Sequence, residues 1–177
     1  RHSSSAASDV YKRQNSSFLS MDIVRLGRTA ANEGLNEGIW RSSLNIERRG
    51  LGKTNYWEYA DRTEVNSKSL ISTHGLGGKP VVGCLIWIAA TIPEEESIIN
   101  LLNDVREDRN GLTGLMRCGK LRQGIVARYI GQSSRDARHW FTRIWKRTRN
   151  YREMIEPEIP RYWPCLLYTS PSPRDRV

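Results

Sequence analysis

Hydrophobic and polar positions alternate with a period of two along the first part of the chain, which is typical of β-strands. The apolar-facing set Trp40, Ser42, Leu44 and Ile46 alternates with Arg41, Ser43, Asn45 and Glu47. This pattern predicts a strand with one half-buried face. The glycine-containing segment 49–52 predicts a turn, after which Thr54–Tyr59 is expected to return as the hairpin partner.

Two further strands are predicted from apolar runs. Residues 81–90 form an unbroken apolar run rich in β-branched side chains, which indicates a strand covered on both faces. Leu115–Gly124 predicts a short hairpin, and Ile125–Ile130 predicts a central strand. Near the N-terminus, the segment around Asn15–Ile23 starts in the middle of the expected fold. We expect it to leave one edge of the sheet unpaired.

Two amphipathic helices are predicted late in the chain. The first is expected to begin with Pro93 at its first helical position and to stop at Gly111, with acidic residues in its first turn. The second is expected to start at Ser133, a capping residue. Its apolar stripe consists of Ala137, Trp140, Phe141, Ile144 and Trp145. The pattern therefore predicts a mainly β fold with two C-terminal α-helices, α+β by content.

The two ends of the chain differ from the rest. Ser4–Gln14 reads SSAASDVYKRQ, and Cys165–Asp175 reads CLLYTSPSPRD. Both resemble in-frame translations of the two adapters used in transposase-based DNA library preparation. We therefore expect residues 1–14 and 165–177 to be adapter-derived and disordered, and residues 15–164 to be an insert from a longer gene in environmental DNA.

Composition changes once these ends are set aside. The formal net charge of +9 falls to +6, because the N-terminal segment carries +2 and the C-terminal segment +1. The insert keeps Cys84 and Cys118, whose spacing predicts neither a disulfide framework nor a zinc site and suits a reducing cytoplasm. The longest apolar run, Val81–Ile92, is shorter than the roughly 20 residues that a membrane-spanning helix needs.

Few residues of the insert are candidates for catalysis, metal binding or phosphate binding. His74 precedes a glycine-rich turn, where it either contacts a metal or serves only the turn, and His139 lies on the polar face of the second helix. Gly75–Lys79 lacks the spacing of a phosphate loop and precedes a strand, so glycines with positive φ are favoured there. The carboxylates and hydroxyls form no pattern that marks an enzyme.

The second helix carries a basic face that leaves three interpretations open. Its basic residues are Arg135, Arg138, His139, Arg143, Lys146 and Arg147. They form a solvated surface, a protein interface or a phosphate-binding surface. Because the aromatic residues of the helix fall on the opposite stripe, core packing explains them better than base stacking does.

Five segments together resemble the urease accessory protein D family, called H in some bacteria. They are Gly27-Arg28 through Glu33, Gly75-Leu76-Gly77-Gly78-Lys79-Pro80 through Gly83, Ile125 through Gly131 with Arg128 inside, Phe141 through Trp145, and Pro160-Arg161-Tyr162-Trp163. Their order and spacing agree across nearly all of residues 15–164. The insert is similar to the C-terminal part, roughly half, of such a protein, and is expected to be a truncated domain.

The resemblance implies a scaffold rather than a catalyst. Family members join the accessory proteins F and G on the urease apoprotein and deliver nickel, and they are similar in having stacked, mixed, β-helix-like sheets with two α-helices. No tightly bound cofactor is implied, only nickel in transit. Glu33, Glu58, Asp61 and His74 are the implied transient contacts, since oxygen ligands suit a metal held only briefly. The alternatives are a basic nucleic-acid-binding module and an unrecognised enzyme.

Overall fold

The computed structural model describes residues 16–27, 38–49 and 55–151. The predictions that concern Arg28, Glu33, Pro160, Arg161 and Trp163 lie outside the described residues. So do the predicted boundaries at residues 14 and 165, which stay predictions.

The described part contains six strands and three helices. They are β1 (Phe18–Arg25), β2 (Ile39–Arg49), β3 (Asn55–Asn66), α1 (Ser67–Ile71), β4 (Val81–Ile88), α2 (Glu95–Glu107), β5 (Leu115–Leu121), β6 (Gly124–Gly131) and α3 (Ser134–Asn150). The mainly β fold with two late helices is therefore confirmed. The short α1 has no counterpart among the predicted elements, because five residues cannot establish a helical period.

Four of the strands form one antiparallel sheet in the order β1-β4-β6-β5. The register sets Asp22 on β1 opposite Cys84 on β4, and Cys84 opposite Arg128 on β6. β1 lies at the edge of this sheet, as expected for the segment around Asn15–Ile23. All strand pairs among the described residues are antiparallel, so the mixed pairing implied by the family resemblance is not seen within those ranges.

β2 and β3 form a separate two-stranded hairpin. The predicted alternation is confirmed, since Trp40, Ser42, Leu44 and Ile46 are half-buried while their neighbours are exposed. A bulge follows Ile46, which pairs with Tyr59, whereas Glu47 pairs with Trp57. Glu58 is thus the extra residue of β3, and a bulge of this kind redirects its side chain.

The helices α2 and α3 cover one face of the four-stranded sheet and enclose the main core. From the sheet this core takes Leu85, Trp87, Ile125, Ala127 and Tyr129, and from the helices Ile98, Val105, Trp140, Phe141 and Ile144. The buried indole of Trp140 donates from Nε1 to the carbonyl of Val105 at 3.0 Å, which joins the two helices. Burial of these side chains provides most of the stabilisation of this layer.

Two predicted boundaries are wrong. α2 begins at Glu95 rather than at Pro93, because Glu94 has an extended backbone with φ −62° and ψ 145° and is the N-cap. The hairpin predicted at Leu115–Gly124 is present but longer than its predicted bounds: β5 (Leu115–Leu121) turns at Arg122 and Gln123 and pairs with β6 (Gly124–Gly131), which includes the predicted central strand Ile125–Ile130.

Candidate functional site

The glycine-rich segment before β4 forms the C-terminal cap of α1. The amide of Leu76 donates to the carbonyl of Ser69 at 2.9 Å, and that of Gly78 donates to the carbonyl of Leu70 at 2.7 Å. Gly78 has φ +72°, and a Cβ at Gly75 would lie 2.0 Å from the Ser69 oxygen. The motif therefore closes a short helix onto the next strand, and glycine is required there for steric reasons.

Three of the family-like segments meet at one end of the four-stranded sheet. Leu26, which precedes Gly27, donates from its amide to the carbonyl of Pro80 at 2.8 Å. Gly131 at the end of β6 pairs with Val81. The next residue, Gln132, contacts the carbonyl of Gly78 through Nε2 at 3.4 Å. Segments far apart in the chain thus share one structural junction, which sequence spacing alone did not reveal.

Arg128, at the centre of the sheet, connects the sheet with the hairpin. Its Nη2 donates to Oη of Tyr59 at 3.0 Å and to Oδ1 of Asp61 at 2.7 Å. The side chain of Arg128 is 49% exposed and that of Asp61 21%. This contact is the best-defined polar link between the two β-layers among the described residues, and both Asp61 and Arg128 belong to the predicted site residues.

The environment of this link shifts several pKa values. Burial raises the pKa of Tyr59 and the pKa of the Cys84 thiol, which lies beside Tyr59. Burial works to lower the pKa of Arg128, but its hydrogen bonds to Asp61 and Tyr59 outweigh that effect and raise it. Arg128 is therefore a permanent cation, while Tyr59 and Cys84 are neutral near pH 7.

Glu58 and Arg48 form a second ion pair inside the hairpin. Nε of Arg48 donates to Oε2 of Glu58 at 3.1 Å, and the Glu58 side chain is fully buried. Oε1 of Glu58 and Nη2 of Arg48 have no hydrogen-bond partner among the described residues. A buried carboxylate thus keeps one oxygen uncommitted at the bulge of β3.

The predicted nickel contacts do not form a cluster in the described part. Glu58 and Asp61 each face an arginine, and His74 lies in an exposed turn, where its amide donates to Oγ of Ser72 at 3.2 Å. Within residues 16–27, 38–49 and 55–151, no three histidine, cysteine or acidic side chains are placed to hold a metal ion together. The metal roles of Glu33, Glu58, Asp61 and His74 stay predictions.

Two arginines of the basic helix α3 contact the C-terminal end of α2. Nη1 of Arg143 donates to the carbonyls of Asp108 and Asn110, and Arg147 forms ion pairs with Asp104 and Asp108. A fully solvated basic face is therefore wrong for these two arginines, which hold the C-terminal end of α2. The C-terminal end of a helix carries partial negative charge, so a cation bound there is stabilising. The sequence did not predict this role, because β5 and β6 separate the two helices in the chain.

Trp145, the last residue of the Phe141–Trp145 motif, is partly buried near the end of α3. It lines a recess of about 190 Å³ together with Leu19, Trp87 and Thr148. The guanidinium carbon of Arg149 lies 5.8 Å from the ring centroid of Trp145. The predicted apolar stripe of α3 is confirmed, with Trp145 at its border rather than at its centre.

Cys84 and Cys118, the two cysteines among the described residues, lie on opposite faces of the four-stranded sheet, and both are free thiols. Cys84 faces the hairpin beside Tyr59. Cys118 packs against the helix layer, with Sγ 3.9 Å from the carbonyl oxygen of Leu102. As for membranes, none of the helices within the described ranges is long and apolar enough to span one.

Comparison with known proteins identifies the family. A family model described as "UreD urease accessory protein" matches residues 5–164. The urease accessory protein UreD of Synechococcus sp. (strain CC9605) is 57% identical over 151 residues, which cover 85% of this chain and 48% of that protein. The UreD of Prochlorococcus marinus (strain MIT 9303) is 53% identical over 156 residues, which cover 88% and 52%.

The chain spans about half the length of the curated relatives that it matches. The family match begins inside the segment that resembles an adapter, and it extends through the glycine turn, the Arg128 strand and both long helices. Because this match covers far more than half of the residues, the chain belongs to the UreD urease accessory protein family.

Proposed function

We propose that this chain is part of a non-catalytic scaffold for urease maturation. In this proposal the parent protein bridges the urease apoprotein and the accessory proteins F and G in the cytoplasm, and nickel passes as cargo rather than as a resident cofactor. The single observation that carries the proposal is the UreD family match over residues 5–164. The name of that family, an accessory protein, fits a binding role.

The geometry of the described part supports a scaffold. Two β-layers are linked by Arg128, and the family-like glycine segments are used to join α1, β1 and β4. Within the described residues these segments form turns and strand pairings that hold the elements together. A rigid layered frame is what a bridging protein needs to present several surfaces at fixed separations.

The buried carboxylate of Glu58 supports a transient nickel contact. Its Oε1 has no hydrogen-bond partner among the described residues, so one hard oxygen is available. The neighbouring Arg48 cation weakens any tight binding of a second cation, as transit requires. Asp61, His74 and Glu33 complete the proposed set of weak contacts.

The alternative of a nucleic-acid-binding module is less well supported. Arg143 and Arg147, two of the cations that suggested it, are bound to α2. An electrostatic phosphate surface needs such cations to be accessible.

A hybrid protein tests the proposal. It consists of the full-length UreD of Synechococcus sp. (strain CC9605) with residues 16–151 of this chain in place of the matching segment. The host carries a urease operon from which the UreD gene has been deleted. We expect the hybrid to restore both urease activity and the nickel content of purified urease, and to be captured by purified F protein.

Two results would overturn the proposal. One is urease that loads nickel equally well without any UreD. The other is a folded hybrid that binds neither F, nor G, nor the apoprotein. For the nickel contact, Glu58→Gln is compared with Glu96→Gln on the exposed start of α2, and only the former should slow nickel loading.

A further inference from the structure

The β2–β3 hairpin contains two pairing registers that meet at one residue. Ile46 pairs with Tyr59, and the next residue of β2, Glu47, pairs with Trp57. Glu58 therefore lies between two pairs as the extra residue of β3, and the bulge marks the boundary between the registers. Because side chains alternate along a strand, a change of register by one residue moves each side chain to the other face.

The bulge combines three features that cost stability. The Glu58 side chain is fully buried in an ion pair with Arg48, with Oε2 and Nε 3.1 Å apart, and burial of two charges is costly. Oε1 of Glu58 and Nη2 of Arg48 have no hydrogen-bond partner among the described residues. Trp57, the neighbour of Glu58, is 59% exposed, which leaves apolar surface in water. A second arrangement of this segment can therefore lie close in free energy.

A regular register without the bulge exchanges the positions of these side chains. If the pairing beyond the bulge continues in register towards residues 49 and 55, Glu58 comes to lie opposite Glu47. Trp57 then lies opposite Arg48. Because Glu47 is exposed and Arg48 is half-buried, Glu58 moves to the exposed face of the hairpin and Trp57 moves to the half-buried face.

The rest of β3 is held in its register by other contacts. Val65 is 3% exposed. Asp61 accepts from Nη2 of Arg128 at 2.7 Å, and the side chain of Asn66 caps α1. A change of register is therefore confined to the end of the hairpin at residues 49 and 55.

Two electrostatic interactions decide between the registers. The ion pair of Arg48 with Glu58 favours the bulged register. Two carboxylates directly opposite each other destabilise a strand pair, so Glu47 and Glu58 disfavour the regular register. Burial of the Trp57 indole and a complete ladder of backbone hydrogen bonds favour the regular register. The charges thus maintain the bulged register, in which the tryptophan stays exposed.

We propose that β3 contains a register switch centred on Glu58. In the bulged register, seen in the structure, the Glu58 carboxylate is buried beside Arg48 and Trp57 is exposed. In the regular register the carboxylate lies on the exposed face beside Glu47, and the indole lies on the half-buried face. The switch moves a carboxylate between the interior and the surface of the hairpin. This inference goes beyond the proposed function and does not rest on it.

The experiment follows Trp57 by fluorine NMR in the hybrid protein labelled with fluorinated tryptophan, without nickel or partner proteins. Trp57→Phe assigns the resonance, and its shift between H2O and D2O reports the exposure of the ring. The test variants are Glu58→Gln and Arg48→Gln. The controls are Glu64→Gln and Arg41→Gln, which remove the partners of an exposed ion pair in the same hairpin.

We expect a second, solvent-shielded Trp57 resonance to grow about tenfold or more relative to the exposed resonance in both test variants, because the buried ion pair is broken. The controls should leave the ratio unchanged, since an exposed ion pair contributes little. Adding Glu47→Gln to Arg48→Gln should raise the shielded fraction by a further factor of about two to five, because the opposed charges are removed.

A single exposed Trp57 resonance in both test variants overturns the inference, and so does an equal change in test and control variants. Loss of the resonances of the buried Trp87 and Trp140 in the test variants also overturns it, because the switch requires the rest of the fold to stay intact. The proposed function is judged separately, by nickel loading and partner capture. Arg48→Gln keeps the Glu58 carboxylate, so it separates an effect of register on nickel loading from the loss of a contact.

Discussion

Arg128 and Asp61 join the four-stranded sheet to the β2–β3 hairpin, with Nη2 and Oδ1 2.7 Å apart. The same guanidinium nitrogen also donates to Tyr59, whose ring lies beside the Cys84 thiol. The link is partly exposed, so it contributes about 1 kcal/mol or less. It holds Tyr59 and Asp61 of the hairpin against the face of the sheet that carries Cys84.

Loss of this link should therefore expose Cys84. We expect Arg128→Ala to raise the rate of Cys84 labelling by a thiol reagent by up to about fivefold, the factor that corresponds to ~1 kcal/mol. Cys118, on the opposite face of the sheet, is the internal control and should keep its rate. Equal acceleration of both thiols would indicate global loosening, and an unchanged Cys84 would show that Arg128 does not hold the hairpin.

Gly83 allows α3 to pack against β4. A Cβ at this position would lie 2.9 Å from Cε2 of the buried Phe141 ring. We expect Gly83→Ala to lower the free energy of unfolding by about 1–3 kcal/mol, because the ring must shift within a packed core. Urea unfolding of the hybrid protein measures this change.

The matched control is Gly119→Ala, whose Cβ would meet nothing closer than Val126 Cγ1 at 3.9 Å. That variant should stay within about 0.5 kcal/mol of the unmodified protein. If both alanines cost the same, the contact with Phe141 is not the cause.

The indole of Trp140 connects α2 with α3. Trp140→Phe removes the hydrogen bond from Nε1 to the Val105 carbonyl and leaves a buried acceptor. We expect a loss of about 1–3 kcal/mol in unfolding free energy. Trp57→Phe, at a tryptophan that is 59% exposed, is the control and should change stability by no more than about 0.5 kcal/mol. A similar cost for both would contradict a specific role for the Trp140 hydrogen bond.

Asp136 makes the free energy of unfolding depend on pH in the acidic range. The hydrogen bond from Thr113 lowers its pKa in the folded state, so its contribution is fully present above the ordinary carboxyl pKa and is lost as pH falls through the lower folded value. We expect Asp136→Asn to flatten this part of the stability–pH curve, measured by urea unfolding between pH 5 and pH 2. Glu96→Gln is the charge control, and an identical flattening there would argue against the Thr113 contact.

The local pattern of hydrophobic and polar residues is sufficient to predict the elements that bury a single face. The alternation in Trp40–Ile46 and the stripe from Ala137 to Ile144 appear in the structure as β2 and α3. Both arise from short-range periodicity, which a window of about ten residues contains. Ser133 was also recognisable as a cap, since its hydroxyl accepts from the amide of Asp136 three residues later.

Long-range pairing cannot be predicted from local pattern in the same way. β1 pairs with β4, which lies far along the chain, and the pattern of neither strand indicates that partner. The hydrogen-bond partners of Arg143 and Arg147 lie at the C-terminal end of α2, more than 30 residues earlier in the chain. Nothing in the charge pattern of α3 separates these two arginines from the other basic residues of the helix.

The sequence by itself determined the mainly β class, the two late helices and, through five ordered motifs, the accessory protein family. Tertiary structure decided which motif residues contact one another. The glycine turn caps α1, the carbonyl of Pro80 accepts a hydrogen bond from the amide of Leu26, and Arg128 donates to Asp61 in the other β-layer. The physical reason is that periodicity records which face of an element is buried. Only the packed fold determines which residues meet across that face.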